Sequence, residues 1–112
     1  MQIELVDIKR TYTINDKDYV VNIGDAKVLE AHDKFVDTIK GITEDTSPVE
    51  STEIVHAFLK AAFGDTQFKQ LGEIGALDTV NSQRIALALM KDVKEFASEN
   101  SVSSLMKEFG LE

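Results

Sequence analysis

Cysteine and tryptophan are absent from this chain of 112 residues, and proline occurs once. The absence of cysteine excludes a disulfide framework, a thiolate metal site and a cysteine nucleophile, so packing must hold the fold together. Long apolar runs are missing too. The first ten residues interleave Glu4, Asp7 and Lys9 with apolar side chains, unlike a signal peptide, and no stretch approaches the roughly 18 apolar residues of a membrane-spanning helix. We therefore expect a cytosolic protein with no membrane partner.

Positive charge is in short supply. Twelve Lys and Arg stand against twenty Asp and Glu, which gives a formal net charge of −8 and a pI of about 4.7. Nucleic acid is not an expected partner, because its binding depends on clustered Lys and Arg that neutralise phosphates. The acidity is also even, since residues 1–46 and residues 47–112 each carry ten acids and six bases. A protein that mimics nucleic acid would instead concentrate its carboxylates on one surface.

The start of the chain alternates apolar and polar side chains, which is typical of strands. The alternation changes phase between Leu5 and Val6, and this step predicts a bulge in the first strand. Residues 15–18 favour a turn, after which the alternation resumes until Gly24. Residues 1–24 are therefore predicted to form a β-hairpin.

Apolar residues then recur at the three- and four-residue spacing of amphipathic helices. Asp25 is the predicted N-cap of a first helix that ends at Gly41. Residues 47–50, Ser-Pro-Val-Glu, form a capping box that begins a second helix. The pattern predicts that this helix ends at Gly64, followed by a short helix from Asp65 through Leu71, a long helix from Thr79 to about Ser98, and a short terminal one.

The predicted fold class is therefore α+β, mainly α, with an amino-terminal β-hairpin followed by a small bundle of four to five helices. We expect a single domain over residues 1–112. Within it the hairpin spans residues 1–24, the helical body residues 25–98, and a short amphipathic helix residues 99–112.

No residue pattern points to catalysis. His32 and His56 lack a second histidine or a carboxylate at the i+4 spacing of a metal pair, so we expect structural roles for both. Asp16 and Asp18 match the opening of a calcium loop, but Val20 occupies the next alternate position. The glycines form no dinucleotide or phosphate loop, and no serine lies in a Gly-x-Ser-x-Gly elbow. We predict a non-enzymatic protein without a cofactor or metal.

Two apolar clusters remain as candidate partner-binding residues. The first comprises Phe63, Phe68 and Leu71 around a helix break, where they either complete the core or line a hydrophobic groove. Core is favoured, because the chain has only six phenylalanines and two tyrosines to fill its interior.

The second cluster is the terminal one, which comprises Leu105, Met106 and Phe109. A short helix with one apolar side must bury that side on its own domain, on a neighbouring subunit or on a client. The sequence does not distinguish these three.

The order of elements is similar to that of a known family. The hairpin comprises the strands Tyr12–Ile14 and Tyr19–Ile23, and a helix over 26–40 follows. The next helix ends with Phe-Leu-Lys-Ala-Ala-Phe-Gly-Asp at residues 58–65, before a last long helix. In this order of elements and in this motif, the chain resembles small tail assembly chaperones of long-tailed bacteriophages of Gram-positive hosts. The resemblance extends from about Tyr12 to Phe96 and implies a cytosolic protein outside the virion. It also implies self-association and binding to hydrophobic helical segments of the tape-measure protein until the tail tube grows around it.

The leading hypothesis is such a chaperone, with the two apolar clusters as its client surfaces. The alternative is a structural phage protein, either a head–tail connector or a tail-completion component, whose hairpin docks into a ring of the mature particle. Mass spectrometry of purified virions separates the two, because a chaperone should be absent from the particle.

Overall fold

The computed structural model describes residues 1–111. Within this part of the chain, the elements in order are β1 (Lys9–Ile14), β2 (Lys17–Asn22), α1 (Ala26–Ile39), α2 (Pro48–Glu73), α3 (Thr79–Glu99) and α4 (Val102–Glu108). The predicted class, α+β and mainly α, with a hairpin before the helices, is confirmed.

β1 and β2 form a tight antiparallel hairpin with Tyr12 opposite Tyr19. Its turn consists of Asn15 and Asp16, whose φ angles are 53° and 67°. Two successive residues with positive φ are typical of a type I′ turn, whose twist matches that of the flanking strands. The predicted four-residue turn was too long, because β2 already begins at Lys17.

The first eight residues do not form the predicted strand, and the bulge within it is wrong. They carry no regular secondary structure and are all exposed. The Ile8 carbonyl accepts a hydrogen bond from the Ile23 amide at 2.8 Å, and the Asp7 carboxylate accepts one from the Lys9 amide at 2.9 Å. The described chain offers no third strand, so the alternating pattern of this segment has no strand to pair with.

Helix starts follow the local signals. The Asp25 side chain accepts from the Lys27 amide at 2.8 Å, and the Ser47 hydroxyl accepts from the Glu50 amide at 3.1 Å, which confirms both predicted N-caps. The predicted break at Gly64 is also present, because this residue has φ 83° and ψ 163° within α2. The two predicted helices on either side of it are therefore the two arms of one kinked helix.

The second arm of α2 is fastened to the hairpin by Gln67. The Gln67 Oε1 atom accepts from the Val20 amide at 2.8 Å, and its Nε2 donates to the Val20 carbonyl, also at 2.8 Å. The same Nε2 donates to the Phe63 carbonyl at 2.8 Å, just before the kink. One side-chain amide thus occupies the place where a further strand would pair with β2.

One hydrophobic core joins the inner face of β2 to α1, α2 and α3. Among its fully buried side chains are Tyr19, Val21, Ile23, Leu59, Leu71, Leu89 and Val93. Phe35 of α1 stacks on Phe58 of α2 with their ring centroids 4.6 Å apart. Because α4 contributes no buried residue, it lies on the outside of this core.

Tyr12 links β1 to α3, since its hydroxyl donates to Asp92 Oδ2 at 2.7 Å. Burial, followed by the hydrogen bond and charge of Asp92, raises the pKa of the Tyr12 phenol well above its ordinary value of 10.0. Above that pH the unfolded chain loses the proton while the folded chain keeps it. The stabilisation is therefore fully present below pH 10.0 and is lost as the pH rises towards the folded-state pKa.

We expect the free energy of unfolding of Tyr12→Phe to be lower than that of the parent at about pH 8, because the hydrogen bond to Asp92 is lost. Between about pH 8 and about pH 11 the variant should lose less stability than the parent, because it lacks the phenol that titrates there. Urea unfolding of both proteins across this range measures the difference. If their stabilities fall in parallel above pH 10, the Tyr12 phenol does not carry the effect.

Candidate partner-binding surfaces

The first predicted cluster lies inside the molecule. Phe63 and Leu71 are 5% and 0% exposed, and the Phe63 ring makes edge contacts with Tyr12 and Tyr19 at centroid distances of 6.1 and 6.3 Å. Phe68 is half-buried, near His56 and packed against the core. The prediction that Phe63 and Leu71 line a client surface does not fit this placement, because Phe63, just before the kink, and Leu71, in the second arm of α2, both belong to the core.

The second predicted cluster lies on α4. Leu105 is half-buried, whereas Met106 and Phe109 are 40% and 57% exposed. Burial of this cluster on its own domain is therefore incomplete. We call the exposed apolar residues of this end the α4 patch; they are Val102, Met106, Phe109 and Leu111.

Both ends of α4 are built by local hydrogen bonds. The Ser101 hydroxyl accepts from the Ser104 amide at 3.1 Å and caps the start of the helix. At the other end Gly110 has φ 70°, and the Leu111 amide donates to the Met106 carbonyl at 2.8 Å. This is a Schellman arrangement, which ends the helix and brings an apolar residue back towards its last turn.

An apolar groove that the sequence did not predict lies between the end of α1, the first half of α2 and α3. This α1–α3 groove encloses about 290 Å³ and is lined by Phe35, Ile39, Ile42, Ser51, Val55, Gln83 and Leu87. Phe35 and Val55 are buried, while Ile42 and Leu87 are 36% and 52% exposed. No charged side chain lines it, which distinguishes it from the strongly acidic chain as a whole.

Two features place the exposed apolar residues at the groove. After α1 ends, the Ile42 amide donates to the Ile39 carbonyl at 3.1 Å, and this turn holds Ile42 beside the helix end. Leu87 lies off the face of α3 that carries the buried residues Ala86 and Leu89. The sequence signal for this groove was Leu87, an apolar residue outside the buried stripe of α3. The sequence alone does not show which other helices lie beside Leu87.

The two histidines have protein partners. His56 Nε2 donates to the Leu77 carbonyl at 2.8 Å, and His32 Nδ1 lies 3.2 Å from an Asp33 carboxylate oxygen. Across residues 1–111 there is no group of three or more His, Asp and Glu side chains that would hold a metal ion. None of the helices in this part of the chain combines the length and the apolar content needed to cross a bilayer.

Comparison of the chain with family models, with curated proteins and with solved structures gives no match. The resemblance noted in the sequence therefore rests on its short motif and on the order of elements. In the structure of residues 1–111, the α1–α3 groove and the α4 patch are apolar surfaces that carry no charged side chain.

Proposed function

We propose that this protein is a non-enzymatic phage tail assembly chaperone, and that it binds an amphipathic helical segment of the tape-measure protein in the α1–α3 groove. The observation that carries this proposal is the exposure of Ile42 and Leu87 around a buried floor of Phe35 and Val55. Helix-in-groove recognition uses such a surface, since apolar anchors three or four residues apart enter it from one face of the bound helix.

The groove suits side chains of a helix better than a free small molecule. Its volume of about 290 Å³ is at the lower limit of small-molecule pockets, which also carry several convergent polar groups. Here the polar lining side chains are Ser51 and Gln83. A net charge of −8 on the body keeps a complex soluble while the apolar stripe of a client is covered.

The resemblance to tail assembly chaperones supplies the class of client. A tape-measure protein is long and largely helical, and its apolar stripes have no partner until the tail is assembled. The α4 patch is a second apolar surface of the same chain, and it supports the same role if the client extends beyond one groove. The proposed setting is the cytoplasm of the infected host.

We expect Leu87→Asp to weaken binding of a tape-measure fragment at least about tenfold, which corresponds to about 1.4 kcal/mol. The substitution removes an apolar rim residue and places a charge against the client. Leu87 is 52% exposed, so the fold should remain stable. Isothermal titration with a tape-measure peptide measures the affinity, and Ala97→Asp, which adds the same charge at an exposed position near the end of α3, is the control.

Val102→Asp in the α4 patch decides between the two surfaces. Loss of binding in this variant with no loss in Leu87→Asp would move the client from the groove to α4.

Mass spectrometry of purified virions tests the class of function, because a chaperone leaves the particle. Stoichiometric retention in mature virions would contradict the chaperone and favour the connector or tail-completion component.

A further inference from the structure

The outer edges of β1 and β2 differ in their hydrogen bonding. Gln67 closes the outer edge of β2 by binding both backbone groups of Val20. Thr11 is the partner of Val20 in the register. Because hydrogen-bonding directions alternate along an antiparallel pair, the amide and carbonyl of Thr11 point away from β2.

The same alternation applies to Thr13, which lies opposite Asp18. Within residues 1–111, no other element donates to or accepts from the backbone of Thr11 or Thr13. The outer edge of β1 is therefore open. A two-stranded sheet is marginal by itself, and an open edge is a template for a further strand.

A groove runs beside this open edge. It encloses about 330 Å³ between residues 11–14 of β1 and the side chains of Arg84, Ile85 and Ala88 on α3. A further recess, lined in part by the same Ile14, Arg84 and Ile85, continues it past the hairpin turn. A strand added to β1 would thus lie over a partly apolar floor. We call this surface the edge groove.

The chain itself carries a segment with the properties of such a strand. Residues 1–7, which we call the arm, are exposed and lie outside every helix and strand. Ile3 and Leu5 are 67% and 94% exposed, and alternation places both on one face of an extended chain. Seven residues in strand conformation span about 23 Å, which is enough to cover the six residues of β1.

Charge favours contact between the arm and the edge groove. The arm carries Glu4 and Asp7 and no basic side chain, whereas β1 carries Lys9 and Arg10 and no acidic one. Arg84 is the charged side chain that lines the edge groove. In a chain with a net charge of −8, this local complementarity selects the β1 edge for an acidic strand.

The arm does not lie along its own β1. A return along that strand would need a turn at residues 7 and 8, but Asp7 caps the Lys9 amide and the Ile8 carbonyl is held by Ile23. We infer that the arm of one copy adds as a third strand to the β1 edge of a second copy, with Ile3 and Leu5 over Ile85 and Ala88. This contact is head-to-tail, so each copy donates one arm and receives another.

Light scattering coupled to size-exclusion chromatography tests the inference with two complementary variants. The first lacks residues 2–7 and keeps its edge groove, while the second, Ala88→Glu, keeps its arm and places bulk and negative charge in the groove. We expect the full chain to associate as its concentration rises. Each variant alone should associate at least about tenfold more weakly, whereas an equimolar mixture of the two should form a one-to-one heterodimer.

Heterodimer formation is the decisive result, because in the mixture the intact arm belongs to Ala88→Glu and the intact edge groove belongs to the variant that lacks residues 2–7. Ala97→Glu is the matched control, since residue 97 lies nine positions and about half a turn from residue 88 on α3 and should associate like the parent. Thr11→Pro removes the outward amide of β1 and is a second test of the edge. Circular dichroism checks that each variant is folded.

Three outcomes overturn the inference. They are a full chain that stays monomeric at all concentrations, an armless variant that still associates, and a mixture that gives no heterodimer. The inference does not depend on the proposed client, because client binding is measured separately on the armless monomer. An armless monomer that binds the tape-measure peptide retains the chaperone function whatever the fate of the arm.

Discussion

Replacement of Leu71 by alanine is expected to lower the free energy of unfolding by about 2–5 kcal/mol, the usual cost of deleting a fully buried leucine side chain. Leu71 is 0% exposed and lies in the second arm of α2, where it belongs to the same core as Tyr19 and Leu89. Truncation leaves a cavity that the surrounding helices fill only in part. Urea denaturation of the purified variant measures the loss.

Leu87→Ala is the matched control, because it removes the same atoms from a side chain that is 52% exposed. We expect it to cost less than about 1 kcal/mol. Under conditions where both variants are folded, only Leu87→Ala should weaken client binding. Equal losses of stability would mean that Leu71 is not held in the core, and would restore it as a candidate contact for a partner.

Gly64→Ala is the second variant with a large expected effect, about 1–3 kcal/mol of destabilisation. Gly64 has φ 83° and ψ 163°, a region of backbone space that is essentially open to glycine alone. A Cβ atom added there meets nothing within 4 Å, so the loss reports backbone strain rather than a collision. Relief of that strain requires the two arms of α2 to change direction, which would draw Gln67 away from Val20.

The control is Gly41→Ala, at a glycine whose φ is not positive and whose nearest neighbour to an added Cβ, the Thr38 carbonyl oxygen, is 3.5 Å away. We expect this change to leave stability unaltered or to raise it by about 0.4–1 kcal/mol, since alanine has less freedom in the unfolded chain. Thermal unfolding of both variants provides the comparison. A Gly64→Ala protein as stable as the parent would show that the kink is not imposed at this residue.

Local signals in the sequence predicted local structure correctly. Asp25 and Ser47 cap their helices because a side-chain oxygen needs only the amides two or three residues ahead. The break at Gly64 was likewise readable from one residue type. Residues 1–8 were misassigned because a strand requires a hydrogen-bonding partner, and alternation alone does not supply one.

The candidate site depends on contacts between distant residues, and for this reason the sequence predicted less of it. Phe63 and Leu71 have the same apolar spacing whether they enter a core or line a surface. Their burial is decided by how the two halves of the kinked helix α2 pack against the hairpin and the other helices. Ile42 and Leu87 become neighbours only through the packing of α1 and α2 against α3, which no residue pattern encodes.

The exposure of α4 affects how often this helix detaches from the rest of the molecule. A helix of seven residues is marginal when isolated, and here no residue of it is buried, so its persistence depends on docking against α3. No residue of α4 belongs to the hydrophobic core or to the apolar side chains packed against it. Amides of 102–108 should therefore exchange with solvent through frequent local openings that leave α1, α2 and α3 folded. We therefore expect proteolytic cleavage at residues 99–101, between α3 and α4, while the rest of the molecule is still folded.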